Sequence, residues 1–272
     1  MLYFFAGGDD GATPQYVDLV FDGDGNIYGT TALGGGPDNL GTVFELRHSS
    51  GTWVESVLYR FSSETGATPP SGVVFDHNGN LYGTLGSGTP YGFGAVYTLT
   101  PQGGGWTGTT LFAFQGGADG AYPFGGLTFD SSGNLYGTTA AGGPGTDGGT
   151  VYKMSQSGVG WTLTTLTGIV GEGGGPTGGQ LTIDAAGNLY GTTTFGGTSR
   201  CNGSGCGVVF KLDPTGKETV LHDFTGGSDG AFPEVGLALD GAGNLYGAAT
   251  SGGDLNCHAK YGGCGVIFKI IP

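Results

Sequence analysis

Gly25-Asn26-Ile27-Tyr28-Gly29 is the first of five copies of one pentapeptide. The others run from Gly79 to Gly83, Gly133 to Gly137, Gly187 to Gly191 and Gly243 to Gly247, and their asparagines stand 54, 54, 54 and 56 residues apart. A near-constant period of that size means one supersecondary unit repeated five times, each copy burying its apolar face against its neighbours. Read outward from the third copy, the unit is a short apolar strand (127–129), a tight turn (130–134) and a second strand (135–139). A glycine-rich loop (140–149), a third strand (150–154), another turn and a fourth strand (161–169) follow. The turn carries Gly and Asn, which tolerate positive φ. No 3.6-residue apolar period occurs, so no helix is expected.

Four short antiparallel strands repeated radially predict an all-β chain folded as a five-bladed β-propeller in a single domain, 1–272. The blades are expected over residues 17–62, 71–116, 125–170, 179–225 and 235–272. Only four fourth strands follow the five third strands. The missing one is found at the N-terminus, where Leu2-Tyr3-Phe4-Phe5-Ala6-Gly7-Gly8 aligns with Leu111-Phe112-Ala113-Phe114-Gln115-Gly116-Gly117. Residues 1–8 are therefore expected to complete the C-terminal blade and remove two exposed sheet edges.

The chain has 64 glycines, 37% hydrophobic and 11% charged residues. The glycines hold register between aromatic and β-branched runs, which argues against a disordered low-complexity chain. A net charge of −14 repels phosphate, so neither nucleic acid nor an anionic membrane is an expected partner. No run approaches the roughly 20 apolar residues of a membrane span, and no signal peptide is visible. The cysteines form two close pairs, Cys201 with Cys206 and Cys257 with Cys264, each just before a third strand. Two local disulfides are the first reading and imply an oxidising compartment. A metal site is the rival, with spacings unlike a zinc knuckle and only His258 nearby.

The string D-x-x-G-N-L-Y-G-T-T, then G-x-V-F-K-L, then G-G-x-D-G-A-x-P resembles the GloVer tandem repeats of bacterial extracellular proteins, over nearly the whole chain. Its hairpins are more loosely similar to those of NHL-type propellers. The resemblance implies export, to a secreted or cell-surface location, and implies no settled activity.

In a blade of this order, the loops leading into the first strand and those joining strands two and three share one end. The tight DxxGN turns occupy the other. Binding residues favour variable loops on a rigid scaffold, so the loop end is the expected functional face and the turn end the silent one. The GGxDGAxP loops supply Asp9, Asp10, Asp119 and Asp229. Their first reading is structural, as caps on a turn before proline. The alternative is oxygen ligands for Ca²⁺ or for sugar hydroxyls. No cofactor is otherwise expected. Asp22-Gly23-Asp24-Gly25-Asn26 opens like a Ca²⁺ loop but has Leu33 where the bidentate glutamate belongs, so it reads as a hairpin turn. The repeated tyrosines 28, 82, 136, 190 and 246 and the tryptophans 53, 106 and 161 read as blade packing, with sugar stacking as the alternative.

An active centre is usually single, so chemistry is sought where the copies disagree. Asp18 stands where three other copies have glycine and the fourth has Gln180. Two places earlier the copies read Tyr16, Pro70, Phe124, Gly178 and Glu234. Asp18 and Glu234, with Glu172, are the candidate catalytic acids for glycosidic cleavage, and Tyr16, Phe124 and Gln180 are candidate binding residues. The leading expectation is an extracellular, monomeric propeller recognising a neutral oligosaccharide or polysaccharide on the loop face. The alternatives are a carbohydrate-cleaving enzyme and a structural or interaction module of a cell-surface protein.

Overall fold

A computed structural model describes residues 1–15, 18–88, 90–144, 148–158, 160–169, 179–199, 201, 203–257 and 262–272. The first sheet runs β1 (Val20–Phe21), β2 (Ile27–Thr31), β3 (Thr42–Ser49) and β4 (Thr52–Arg60); the second runs β5 (Val74–Phe75), β6 (Leu81–Leu85), β7 (Ala95–Gln102) and β8 (Gly105–Ala113). The third comprises β9 (Thr128–Phe129), β10 (Leu135–Thr139), β11 (Thr150–Ser157) and β12 (Gly160–Gly168). The fourth comprises β13 (Thr182–Ile183), β14 (Leu189–Thr193), β15 (Val208–Leu212) and β16 (Glu218–Asp223). The fifth has β17 (Ala238–Leu239), β18 (Leu245–Ala249) and β19 (Val266–Ile270). Strands follow one another in chain order within each sheet, and every resolved pairing is antiparallel. These are the blades of a five-bladed β-propeller; the one helical element among the described residues is a 3₁₀ turn, Gly8–Asp10.

Two compact units divide the chain. One comprises Met1–Gln115, Tyr122–Leu127 and Gln156–Thr162; the other comprises Gly116–Ala121, Thr128–Ser155 and Leu163–Pro272. The core of the first gathers Tyr28, Val43, Phe61, Leu81, Tyr97 and Leu99. The second has a cluster around Leu189, Phe210 and Leu212 and another around Leu245, Phe224 and Ala249.

The repeated pentapeptide explains itself in this frame. In the second blade Gly83 pairs with Tyr97 across β6 and β7, and a Cβ on Gly83 would stand 2.6 Å from the Tyr97 Cζ atom. The second glycine of GNLYG thus makes room for the aromatic ring of strand three to lie across strand two. The same holds at Gly191, where a Cβ would stand 2.6 Å from Phe210 Cζ. The aspartate of DxxGN closes the preceding turn. Asp76 accepts from the backbone N–H groups of Asn78 (2.8 Å) and Asn80 (2.9 Å), the Asn80 amide (2.7 Å) and the Tyr82 hydroxyl (3.1 Å). The tyrosine therefore has an apolar body in the core and a bonded hydroxyl at the turn, as buried tyrosines require. Trp161 meets the Tyr82 ring edge-on at 5.8 Å, and Trp106 packs on the cluster that holds Tyr28. Tyrosine and tryptophan are thus packing residues here, as expected.

The N-terminal segment departs from expectation. Residues 1–7 form no strand, and among the described residues no fourth strand pairs with β19. Ile267 is consequently 80% exposed, whereas Val43, Val96, Val151 and Val209, its equivalents by register, are 0% exposed. The fourth strands elsewhere are six to nine residues long, each at the edge of its sheet beside strand three. Phe5 keeps its packing role, meeting Phe44 at 5.0 Å much as Phe61 meets Tyr97 and Phe224 meets Phe268, both at 5.1 Å.

Both expected disulfides are formed, Cys201–Cys206 with Cα atoms 4.9 Å apart and Cys257–Cys264 at 5.8 Å. They staple equivalent loops: Gly196 bridges Gly205 and Gly252 bridges Gly263, each in parallel.

Candidate functional site

The loop ends are built by a repeated clasp. Ala12, Ala67, Ala121 and Ala231 of the GGxDGAxP-type loops bridge Leu33, Ser87, Ala141 and Ser251, just beyond strand two of the same blade. The next residue then donates to the loop of the preceding blade: Thr68 N–H to the Leu40 carbonyl (2.9 Å), Tyr122 N–H to Phe93 (2.8 Å) and Phe232 N–H to Cys206 (2.9 Å). To face that way these residues adopt left-handed backbone, with φ of 50°, 57° and 56°. Such a conformation costs a bulky residue about 1–3 kcal/mol and persists where the surroundings over-determine it, often at ligand sites.

At Tyr122 the clasp gathers aromatic rings. Tyr122 stacks on Phe124, with centroids 6.1 Å apart and planes 18° from parallel, and meets Phe93 edge-on at 5.9 Å. A Cβ on Gly86 would stand 2.8 Å from Phe124 Cε1, so the ring rests on bare backbone. Phe124 is 42% exposed and Tyr91, two residues before Phe93, is 52% exposed. The four rings come from two loops of the first unit. A smaller counterpart lies in the second unit, where Phe232 meets the exposed Phe195 at 5.6 Å and Glu234 takes the repeat position of Phe124. Of these residues the sequence comparison singled out Phe124 and not Tyr122 or Phe93; their signal is an aromatic ring where earlier copies read Thr13 and Thr68 at the first position and Leu40 at the second.

The expected acids fall into two groups. Of those in the GGxDGAxP loops, Asp10, Asp119 and Asp229 are turn caps. Asp10 accepts from the Tyr3 hydroxyl (2.8 Å) and Ala6 N–H (2.5 Å), and this hydrogen bond pushes the Tyr3 phenol up to about 12. Asp229 accepts from Thr225 N–H (3.0 Å) and the Thr225 hydroxyl and lies 3.2 Å from His222 Nε2. Asp119 caps Gly117 N–H (3.2 Å), and Asp9 is exposed and offers its carbonyl to Arg60 (3.2 Å). The asymmetric acids Asp18 and Glu234 are both solvent-exposed. The Asp18 backbone lies against Gly72, and Gln180 against Gly236, each so close that a Cβ on the glycine would collide. The lead-in segments of successive blades touch here, which is why glycine recurs. Tyr16 and Glu172 lie outside the described residues. Among those described, no group of three or more His, Cys, Asp or Glu side chains is placed to hold a metal.

Glu55 on β4 is a titrating group the sequence did not single out. Burial, reinforced by the Asp10 carboxylate, raises its carboxyl to about 7, and its Oε1 is buried without a hydrogen-bond partner. A carboxyl whose folded value is raised holds its proton longer when folded, so its contribution to stability is full at acid pH. That contribution is lost as pH rises from about 4.5 to about 7. Glu55→Gln is expected to melt at a higher temperature than the parent at pH 8 and at about the same temperature at pH 4. Parallel thermal melts at the two pH values check this, and an equal gain at both would contradict it.

The Gloeobacter/Verrucomicrobia repeat profile matches residues 1–199 and again 104–272, covering the chain in two overlapping spans. No match was found among curated proteins. Solved structures match at low identity. A protein provisionally assigned as a gluconolactonase is 17% identical, with 93% of this chain and 72% of that one covered and a TM-score of 0.54. A provisionally assigned 6-phosphogluconolactonase from Bacteroides uniformis is 20% identical over 88% and 65%, with a TM-score of 0.54. A luciferin-regenerating enzyme is 13% identical over 97% and 93%, with a TM-score of 0.52. At such identities the likeness is one of fold.

Proposed function

This chain belongs to the Gloeobacter/Verrucomicrobia repeat family, and from that premise we propose that it is an exported propeller that binds a neutral glycan on its loop end. The observation that carries the reading is the stack of the exposed Phe124 on the half-buried Tyr122. An aromatic face presents π-density to the C–H face of a sugar ring, and a tyrosine adds a hydroxyl at its rim. The acidic chain, at −14, disfavours acidic polysaccharides by long-range repulsion. The two disulfides support an oxidising, extracytoplasmic location.

A glycan array followed by titration calorimetry tests the reading. Tyr122→Ala and Phe124→Ala are each expected to weaken binding of the selected neutral glycan at least about tenfold, which is about 1.4 kcal/mol. A glycan bound equally by both variants, or no glycan bound by the parent, overturns it. Cleavage is read in the same samples, with Asp18→Asn and Glu234→Gln as controls for the acids a hydrolase would use.

A further inference from the structure

A cavity of about 620 Å³ opens at the turn end of the third and fourth blades, within the second unit. That end was expected to be silent. The reason for the cavity is a missing side chain. Counted five residues back from Leu111, Leu166 and Leu221, the second and third blades have Trp106 and Trp161 on the fourth strand and the fourth blade has Gly216 in the turn before it. Those two indoles fill the space beside the preceding blade: Trp161 packs on Tyr82, and Trp106 on the cluster of Tyr28. At the next position Gly216 leaves Tyr136 uncovered by any indole, and both residues line the void.

We propose that this cavity is a binding site for a small planar aromatic molecule of the indole class, neutral or cationic. Phe129, Leu166, Ile183 and Leu189 give it apolar walls, and its volume lies within the roughly 300–1,000 Å³ usual for small-molecule sites. Three carboxylates, Asp130, Asp184 and Asp213, line it against one ammonium, Lys153. Asp130 and Asp184 are held as acceptors by their own turns, at 2.7 Å from Asn134 Nδ2 and from Asn188 Nδ2. Lys153 sits 5.6 Å from the centre of the Tyr136 ring, a cation-over-ring contact within the wall itself. The surplus of negative charge repels an anionic ligand. This site is independent of the glycan reading, which concerns the other end of the blades.

Titration calorimetry of the whole chain with indole, tryptamine and indole-3-acetate tests the proposal. Indole and tryptamine are expected to bind one to one and to raise the melting temperature. Indole-3-acetate is expected to bind at least tenfold more weakly than tryptamine. Ala186→Trp and Ile183→Trp, each placing an indole from the wall into the void, are expected to abolish binding. Ala186 is an exposed turn position that reads Asp24, Asn78, Ser132 and Ala242 in other copies, so its variant should fold; circular dichroism confirms that. Failure of both indole and tryptamine to bind, binding that survives in a folded Ala186→Trp chain, or anion binding equal to cation binding each overturns the proposal.

Discussion

Gly94→Ala is expected to destabilise the protein by about 3 kcal/mol or more and to weaken glycan binding with it. Gly94 has φ of +87°, and a Cβ there would overlap the Leu85 carbonyl and stand 2.6 Å from Pro123 Cδ. The left-handed backbone alone costs a non-glycine residue on the order of 1–3 kcal/mol. Overpacking against backbone adds another 1–3 kcal/mol or so, because neither the carbonyl nor the proline ring can rotate away. Gly92 supplies the control. Its φ is +80°, yet nothing lies within 4 Å of its would-be Cβ, so Gly92→Ala should show the conformational cost without the collision. Denaturant unfolding of the two variants separates the terms; equal losses would mean that the close approach carries no energy. The functional link is positional. Gly94 follows Phe93, whose carbonyl accepts from Tyr122 N–H at 2.8 Å, so relieving the collision has to move the clasp that aims Tyr122 and Phe124.

Acid is expected to unfold the protein cooperatively as pH falls from about 4 towards 2, the range between ordinary and depressed aspartate values. Five turns repeat one carboxylate cage. Asp240 shows it least encumbered: the Asn244 side-chain amide, first, with the Asn244 and Ala242 N–H groups and the Tyr246 hydroxyl, lowers its carboxyl to about 2. Asp22, Asp76, Asp130 and Asp184 feel some burial, which pushes the other way, but the same donors outweigh it and hold them below the ordinary value. A carboxyl with a depressed folded value stabilises the fold above its unfolded value and ceases to do so as pH falls through the folded one. Because every blade carries the cage, the five contributions disappear over one pH window. Asp240→Asn should be less stable than the parent at pH 7 and lose less on going to pH 2. Acid titrations followed by near-UV circular dichroism check both statements. A parent that retains full stability at pH 2 would show that the cages do not act through charge.

Most of the architecture was legible because its determinants are local. The DxxGN cage joins Asp76 to residues no more than six positions on, and the alternation of strand three and the Gly83–Tyr97 pairing repeat with the period. Each Cys pair closes a loop of a few residues. The candidate site was less legible. Phe124 stood out as a departure from the repeat, but the ring cluster also draws on residues 93 and 122, brought together by a clasp between two loops.

The amino-acid sequence by itself determined the five repeats, the strand order, the turns and both disulfides, since short-range geometry and a period of two decide these once the repeat is seen. Only the tertiary structure decided that residues 1–7 pack through Phe5 without forming a strand, that Tyr122 turns left-handed to meet Phe93, and that Gly216 opens a cavity. Those outcomes depend on what neighbouring blades place opposite one another. A glycine in a sequence marks an absent side chain, and only packing shows whether a neighbour fills the space it leaves.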